Sequence, residues 1–299
     1  MISHSVETIR ASLSSRYERM IEPGQIVAVG NGAFKDDVAD ATLKFLAPTP
    51  EGAPGFLILS GPGNPDLVAR AVRSINEARS EVSPQIAAPI LPAVLEGTIS
   101  GMSFALWPRS RSLDEGGKVK RLIRRRLYAG AILDWNADLV RQTLLPGLAQ
   151  TFQDDLHVIA NDDLFPQEMR RDADRAATRL ARGEWTPRHA LHHGDFWSGN
   201  ILLPQRGTGR AFHVIDWAGM QRRGYPFYDL ARMSQSLRIG RRQHHRHVEK
   251  LRAIVDCAPR DVTSYMLSAL GHIGRNLEHF PPERYRAMAI DIYGTMNAA

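Results

Sequence analysis

Residues 191–204 read LHHGDFWSGNILLP and set His193, Asp195 and Asn200 around Gly194 before an apolar run. A further acid, Asp216, closes the next apolar run, FHVIDWAG. Three oxygen-bearing side chains at the ends of apolar elements suit a hard cation such as Mg2+, which takes oxygen ligands and keeps water for a phosphate. Phosphoryl transfer asks little covalent chemistry of a protein. It needs a group that orients the attacking hydroxyl and metal ligands that let the phosphate charge be neutralised. On this reading Asp195 takes the acceptor proton, and Asn200 and Asp216 hold the metal. The competing reading makes the trio turn residues between strands.

Something must position these side chains. Val6, Ile9, Leu13, Tyr17 and Met20 recur at helical spacing near the N-terminus. QIVAVG, ATLKFLA and GFLILS then form short apolar runs broken by Gly, Pro, Asp and Asn, which predict strands. A helix is expected after GPGNPD, with Asn64 as N-cap, Pro65 at its first position and Glu77 in its later half. TISGMSFALWP reads as one further strand. Past residue 110 helical spacing dominates, over 121–144, 163–183 and 263–280, and ILLP and AFHVIDW interrupt it as a hairpin. The expected architecture is α+β and bilobal. A small antiparallel-sheet lobe covers 1–107, and a larger, mainly helical lobe covers 108–299.

The 299 residues are 43% hydrophobic and 23% charged, an ordinary globular balance. The single cysteine, Cys257, allows no intrachain disulfide, and a cytoplasmic setting is expected. The N-terminus does not read as a signal peptide, and no stretch is apolar enough to span a membrane. The net charge of +6 is compatible with a phosphate-bearing ligand. The densest basic run, KVKRLIRRR (118–126), lacks interleaved aromatics and reads as a solvated helix face, not a specific nucleic-acid site. HHRH (244–247) lacks a further ligand set for zinc and also reads as a solvated face. GPGNPD would place Asp66 where a dinucleotide fingerprint needs its third glycine, so that reading is rejected.

HHGDFWSGNILL, VIDWAG and GYPFYDLARM together resemble the aminoglycoside phosphotransferase and choline kinase family, a branch of the protein-kinase-like fold. His193, Gly194, Asp195, Asn200, Asp216, Gly224, Pro226, Asp229, Leu230 and Ala231 carry the resemblance. It implies a kinase transferring the γ-phosphate of ATP or GTP to a hydroxyl of a small acceptor such as an aminoglycoside, amino alcohol or sugar. It also implies Asp195 as the catalytic Asp, Asn200 and Asp216 as metal ligands, His193 as a loop organiser and Asp229 as a support for the catalytic loop. Adenine is expected against Leu106, Trp107 and the residues up to Arg109.

One departure stands out. Kinase-like folds place a Lys on the third strand, paired with a Glu on the lobe's helix. Glu77 suits the second role, but Ser60 stands where the Lys is expected. Lys44, one strand earlier, could reach the nucleotide or point into solvent. GNGAF (30–34) could cover the phosphates or be an ordinary turn. Ser60 motivates a non-catalytic nucleotide-binding pseudokinase as the alternative. A metal-dependent hydrolase is a second rival, but only His193 is near to activate a water.

Overall fold

A computed structural model describes residues 2–18, 20–22, 24–30, 41–204, 210–277 and 280–297. Two compact units are present. The first holds residues 1–80, 88–111 and 202–218; the second holds 81–87, 112–201 and 219–299. The polar hairpin is thus divided, because Asp195 and Asn200 fall in the second unit and Asp216 in the first.

The first unit is built on a five-stranded antiparallel sheet of order β1-β2-β3-β5-β4. Its strands are β1 (Val27–Val29), β2 (Thr42–Pro48), β3 (Pro54–Ser60), β4 (Leu95–Ile99) and β5 (Met102–Pro108). Alternation along each strand gives the sheet two distinct faces. Leu43, Phe45, Leu57, Leu59, Phe104 and Leu106 point to one face and form a core with Ile9 and Leu13 of α1 (Ile2–Tyr17). Each such fully buried side chain contributes about 2 kcal/mol. The opposite face carries Ile58, Ala105 and Trp107, which pack with Val68 and Val72 of α2 (Leu67–Ser80).

Two expectations change here. TISGMSFALWP is not one strand: it holds the end of β4, a two-residue turn and β5. Ser100 and Gly101 both have positive φ, 52° and 77°, while Ile99 pairs with Met102. Such a turn matches the twist of a tight hairpin, and a serine there is uncommon, which hid it. The helix also starts later than expected, at Leu67. The Asn64 side chain accepts a hydrogen bond from Arg70 Nη2 at 2.9 Å. The first N–H groups of α2 are capped across the sheet: Val68 N–H donates to Ser60 Oγ at 3.0 Å and Ala69 N–H to Ser103 Oγ at 3.2 Å.

In the second unit the long helix α4 (Lys118–Thr143) packs against α7 (Tyr228–Leu237) and α8 (Arg241–Val255). Next to α4 lies a small sheet of β7 (Leu145–Pro146), β8 (Arg188–His192) and β11 (Gln221–Gly224), with β8 in the middle. Helices α5 (Ala149–Ala160), α6 (Gln167–Ala181) and α9 (Pro259–Arg275) pack as a group, and α10 (Pro282–Asn297) lies against α9. Edge-to-face rings of Phe152, Trp185, Tyr225 and Tyr265 fill the space between them. Burying Asp155 in this unit is offset by bonds from Tyr225 Oη and from Arg275 Nη1, the latter at 3.0 Å. No helix among the described residues is long and apolar enough to cross a membrane.

Candidate active site

The loop that leaves β8 is held from below by one buried carboxylate. Asp229, in the first turn of α7, accepts the His193 N–H at 2.6 Å on Oδ2 and the Gly194 N–H at 3.2 Å on Oδ1. Burial pushes the Asp229 carboxyl up to about 7, against the two backbone donors, and the nearby Asp195 charge adds to the rise. His193 is buried, and its Nδ1 accepts the Asp195 N–H at 3.2 Å. His193 therefore braces the backbone of Asp195, and Asp229 braces the backbone of His193.

Gly194 has φ +84°, and a Cβ there would lie 2.4 Å from the Gly219 carbonyl oxygen. Neither the conformation nor the space admits a side chain. Farther along, Gly199 lies under the Trp197 ring, and a Cβ on it would come within 2.3 Å of the indole.

Asp195 ends this scaffold with its side chain half exposed. Three donors face its carboxylate. Trp197 Nε1 and Asn200 Nδ2 each approach Oδ2 at 3.2 Å, and Arg232 Nη2 approaches Oδ1 at 3.4 Å. Asn200 Nδ2 also donates to the Asp195 carbonyl at 2.9 Å. The amide of Asn200 is thereby turned so that its Oδ1 accepts nothing from the protein among the described residues. An amide oxygen left free in this way fits a hard cation. Asp216, exposed at the end of the Ile215–Asp216 run, has φ 66°, a left-handed conformation that Asp tolerates better than most residues. No cluster of three or more His, Cys, Asp or Glu suited to a metal occurs among the described residues.

Three residues escaped sequence reasoning. Arg232 stands three positions after Asp229 on α7, so both share the helix face turned to the catalytic loop. Its spacing from Asp229 was the available signal. The other two, Asp114 and Arg125, fix the loop's far end. Arg125 grips Asp114 through two bonds of 2.7 and 2.8 Å, and Ser198 Oγ donates to Asp114 at 2.7 Å. Burial works against the Asp114 charge, but these bonds outweigh it and hold its carboxyl below the ordinary range. Ser198 is fully buried, and its N–H donates to Ser236 Oγ at 2.9 Å.

The expected nucleotide residues all lie in the first unit. Lys44 pairs with Ile58, and Ile58 with Ala105, so Lys44 is on the α2 face of the sheet and exposed there. Glu77 is exposed on α2 and makes no ion pair with Lys44. Leu106 is fully buried in the α1-side core, so its side chain serves packing and cannot lie against a base. Trp107 lies on the α2 face with Lys44 and is half-buried. GNGAF lies outside the described residues beyond Gly30, as does Lys35.

Residues 117–253 match the sequence model of the phosphotransferase enzyme family. In structure the chain is similar to a macrolide 2′-phosphotransferase from Brachybacterium faecium. The TM-score is 0.58 at 15% identity, over 97% of this chain and 98% of the other. It is similar to aminoglycoside 2′-phosphotransferase-IIIa, solved with GDP, with TM-score 0.55 at 14% identity over 99% and 98%. It is also similar to a choline kinase from Streptococcus pneumoniae, with TM-score 0.54 at 10% identity over 99% and 100%. No curated protein sequence matches the chain. The structural likenesses establish a protein-kinase-like fold, and the matched segment contains Asp195, Asn200, Asp216 and Asp229. Residues 117–253 are thus similar to the phosphotransferase enzyme family, and the chain as a whole has the protein-kinase-like fold of its structural neighbours.

Proposed function

We propose that this chain transfers the γ-phosphate of ATP or GTP to a hydroxyl of a small-molecule acceptor such as an aminoglycoside, amino alcohol or sugar, with Asp195 orienting that hydroxyl and taking its proton. The observation that carries the reading is the contrast at one loop. The backbone of His193, Gly194 and Asp195 is fixed by buried groups, while the Asp195 carboxylate is half exposed. A carboxylate held this firmly, yet open to solvent, is preorganised to receive a hydroxyl with little reorganisation. Arg232 and the Trp197 indole limit the rotamers the carboxylate can take.

Asn200 through its free Oδ1, with Asp216, would hold Mg2+, whose chemistry when bound is neutralisation of the donor phosphates. Trp107 and Lys44, on one face of the sheet, support binding of the base and phosphates. Many arginines of the helical unit, Arg222, Arg223, Arg238, Arg241 and Arg242 among them, favour an acidic or phosphorylated acceptor.

The test is paired and uses both ATP and GTP as donors. Asp195→Asn should keep the magnesium–nucleotide rise in Tm, while transfer to the best acceptor of a metabolite screen falls by roughly two to four powers of ten. Asp216→Asn should lose most of the magnesium-dependent part of that rise. A wild-type protein that binds magnesium–nucleotide but neither transfers nor hydrolyses phosphate would establish the pseudokinase reading instead. A screen yielding only cationic acceptors would refute the acidic preference.

A further inference from the structure

The first turns of α4 carry a feature that the catalytic reading leaves unused. Val119, Leu122, Ile123 and Leu127 are exposed to 70%, 43%, 60% and 47%. At about 100° per residue these four fall within an arc of roughly 140° on one side of the helix. Lys118 and Lys120 border the two edges of the arc and Arg126 lies inside it; all three are exposed. Lys118–Arg126 contains six cations, and no acidic residue occurs from 118 to 133.

The helix cannot bury this apolar arc by rolling inward, because its other side is already tied down. Arg125 is bonded to Asp114 at 2.7 and 2.8 Å, and Arg124 Nη1 donates to the Glu115 carbonyl at 2.8 Å. We propose that this face of α4 docks on an anionic lipid surface. The apolar side chains would enter the headgroup–acyl boundary, and Lys118, Lys120 and Arg126 would reach the anionic headgroups.

The chemistry selects this occupant. An in-plane amphipathic segment needs branched apolar residues on one side with lysine or arginine at its margins, and the lysine stems can lie along apolar surface while their ammonium groups stay in water. A two-fold partner presenting the same face would set these cations against each other, with no acid there to compensate. Nucleic acid would use the charges but leave four aliphatic side chains in water, and the arc contains no aromatic ring for a base to stack on.

The experiment is co-sedimentation of the full chain with vesicles of phosphatidylcholine alone and of phosphatidylcholine with phosphatidylserine. The expected result is binding confined to the phosphatidylserine vesicles and released by added salt. Val119→Ser/Ile123→Ser should cut the bound fraction at least tenfold with an unchanged Tm, since both side chains are exposed. Lys118→Gln and Lys120→Gln should each weaken binding about fivefold. If the double variant shifts Tm, Val119→Ser alone, at the most exposed of the four positions, carries the same expectation on a smaller scale. The proposal is overturned if the wild type ignores anionic vesicles or if the serine variants bind as well as wild type. It is equally overturned if light scattering shows a dimer that the serine variants abolish, or if an RNA or DNA oligomer binds the serine variants and wild type alike while vesicles bind neither.

Discussion

Asp229 makes a quantitative prediction about pH. Its carboxyl is buried and lifted from an ordinary 3.8 to about 7, with burial as the largest cause. A carboxyl raised in the folded state binds its proton more tightly there than in the unfolded chain. Between the two values the folded state therefore holds more protons, and stability falls as pH rises. Outside that window this group adds no pH dependence. At about 1.4 kcal/mol per tenfold, the displacement corresponds to roughly 4 kcal/mol lost between about pH 4 and pH 7. Asp229→Asn keeps the size and one acceptor oxygen but cannot ionise. The stability of the wild type relative to this variant should therefore decline by up to roughly 4 kcal/mol across that window. Taking the difference cancels the titration of other groups, provided the variant leaves them unperturbed.

The assay is urea unfolding of metal-free protein at a series of pH values, with m required to match between the two proteins. Burial and Asp195 oppose the ionised carboxylate, while two backbone donors and Arg232 favour it. A difference flat within about 1 kcal/mol, or one that grows in favour of the wild type as pH rises, would refute the reasoning. It would mean that the His193 and Gly194 N–H groups outweigh desolvation.

Gly194→Ala places a methyl 2.4 Å from the Gly219 carbonyl at φ +84°, so it should cost roughly 1–3 kcal/mol in thermal unfolding and most of the transfer activity; wild-type turnover would show that the loop shifts freely. Asp114→Asn should weaken the grip on Arg125 and Ser198, costing about 1.5–3 kcal/mol near neutral pH and lowering turnover more than nucleotide affinity. Because the Asp114 carboxyl is held below its ordinary range, that cost should disappear as pH falls through its folded value, which unfolding in acid would reveal.

What could be read from sequence was chemistry packed into short spacing. His193, Asp195 and Asn200 sit on one loop, and the structure shows Asn200 and His193 both bonded to Asp195. Partners far along the chain left no such trace. Ser198 meets Asp114 across 84 positions and Arg125 across 73, and nothing local to LDEGG or RLIRRR announces it. Alternation showed that the first third was sheet. Ser100-Gly101 turns the chain inside an apolar run, which alternation alone does not reveal. The serines on β3 and β5 that accept from the first N–H groups of α2 lie too far along the chain from one another to be read locally. The place of Leu106 in the α1-side core was not legible either, because an apolar run shows which residues alternate, but not which face meets α1.

Ser60 explains where the first unit can still offer a cation to phosphate. Ser103 Oγ donates to the Pro65 carbonyl at 2.7 Å, so in the 2.7 Å contact between the two serines the Ser60 hydroxyl is the donor. Ser60 then accepts from Val68 N–H, and Ser103 from Ala69 N–H. Both hydroxyls are buried and fully engaged at the N-terminus of α2. A lysine at position 60 would leave the Val68 N–H without its acceptor and set an ammonium at the positive end of the helix. Position 60 is therefore committed to starting the helix. Under the proposed function the cation comes from elsewhere on the same face, where Lys44, one strand away and paired with Ile58, is exposed. Lys44→Met should accordingly weaken nucleotide binding and transfer by one to two powers of ten, about 1.4–2.8 kcal/mol, with unchanged Tm in the absence of nucleotide. Thermal shift with magnesium–ATP and a transfer assay read both quantities. Wild-type affinity and turnover in that variant would leave the phosphates to backbone donors and remove Lys44 from the site.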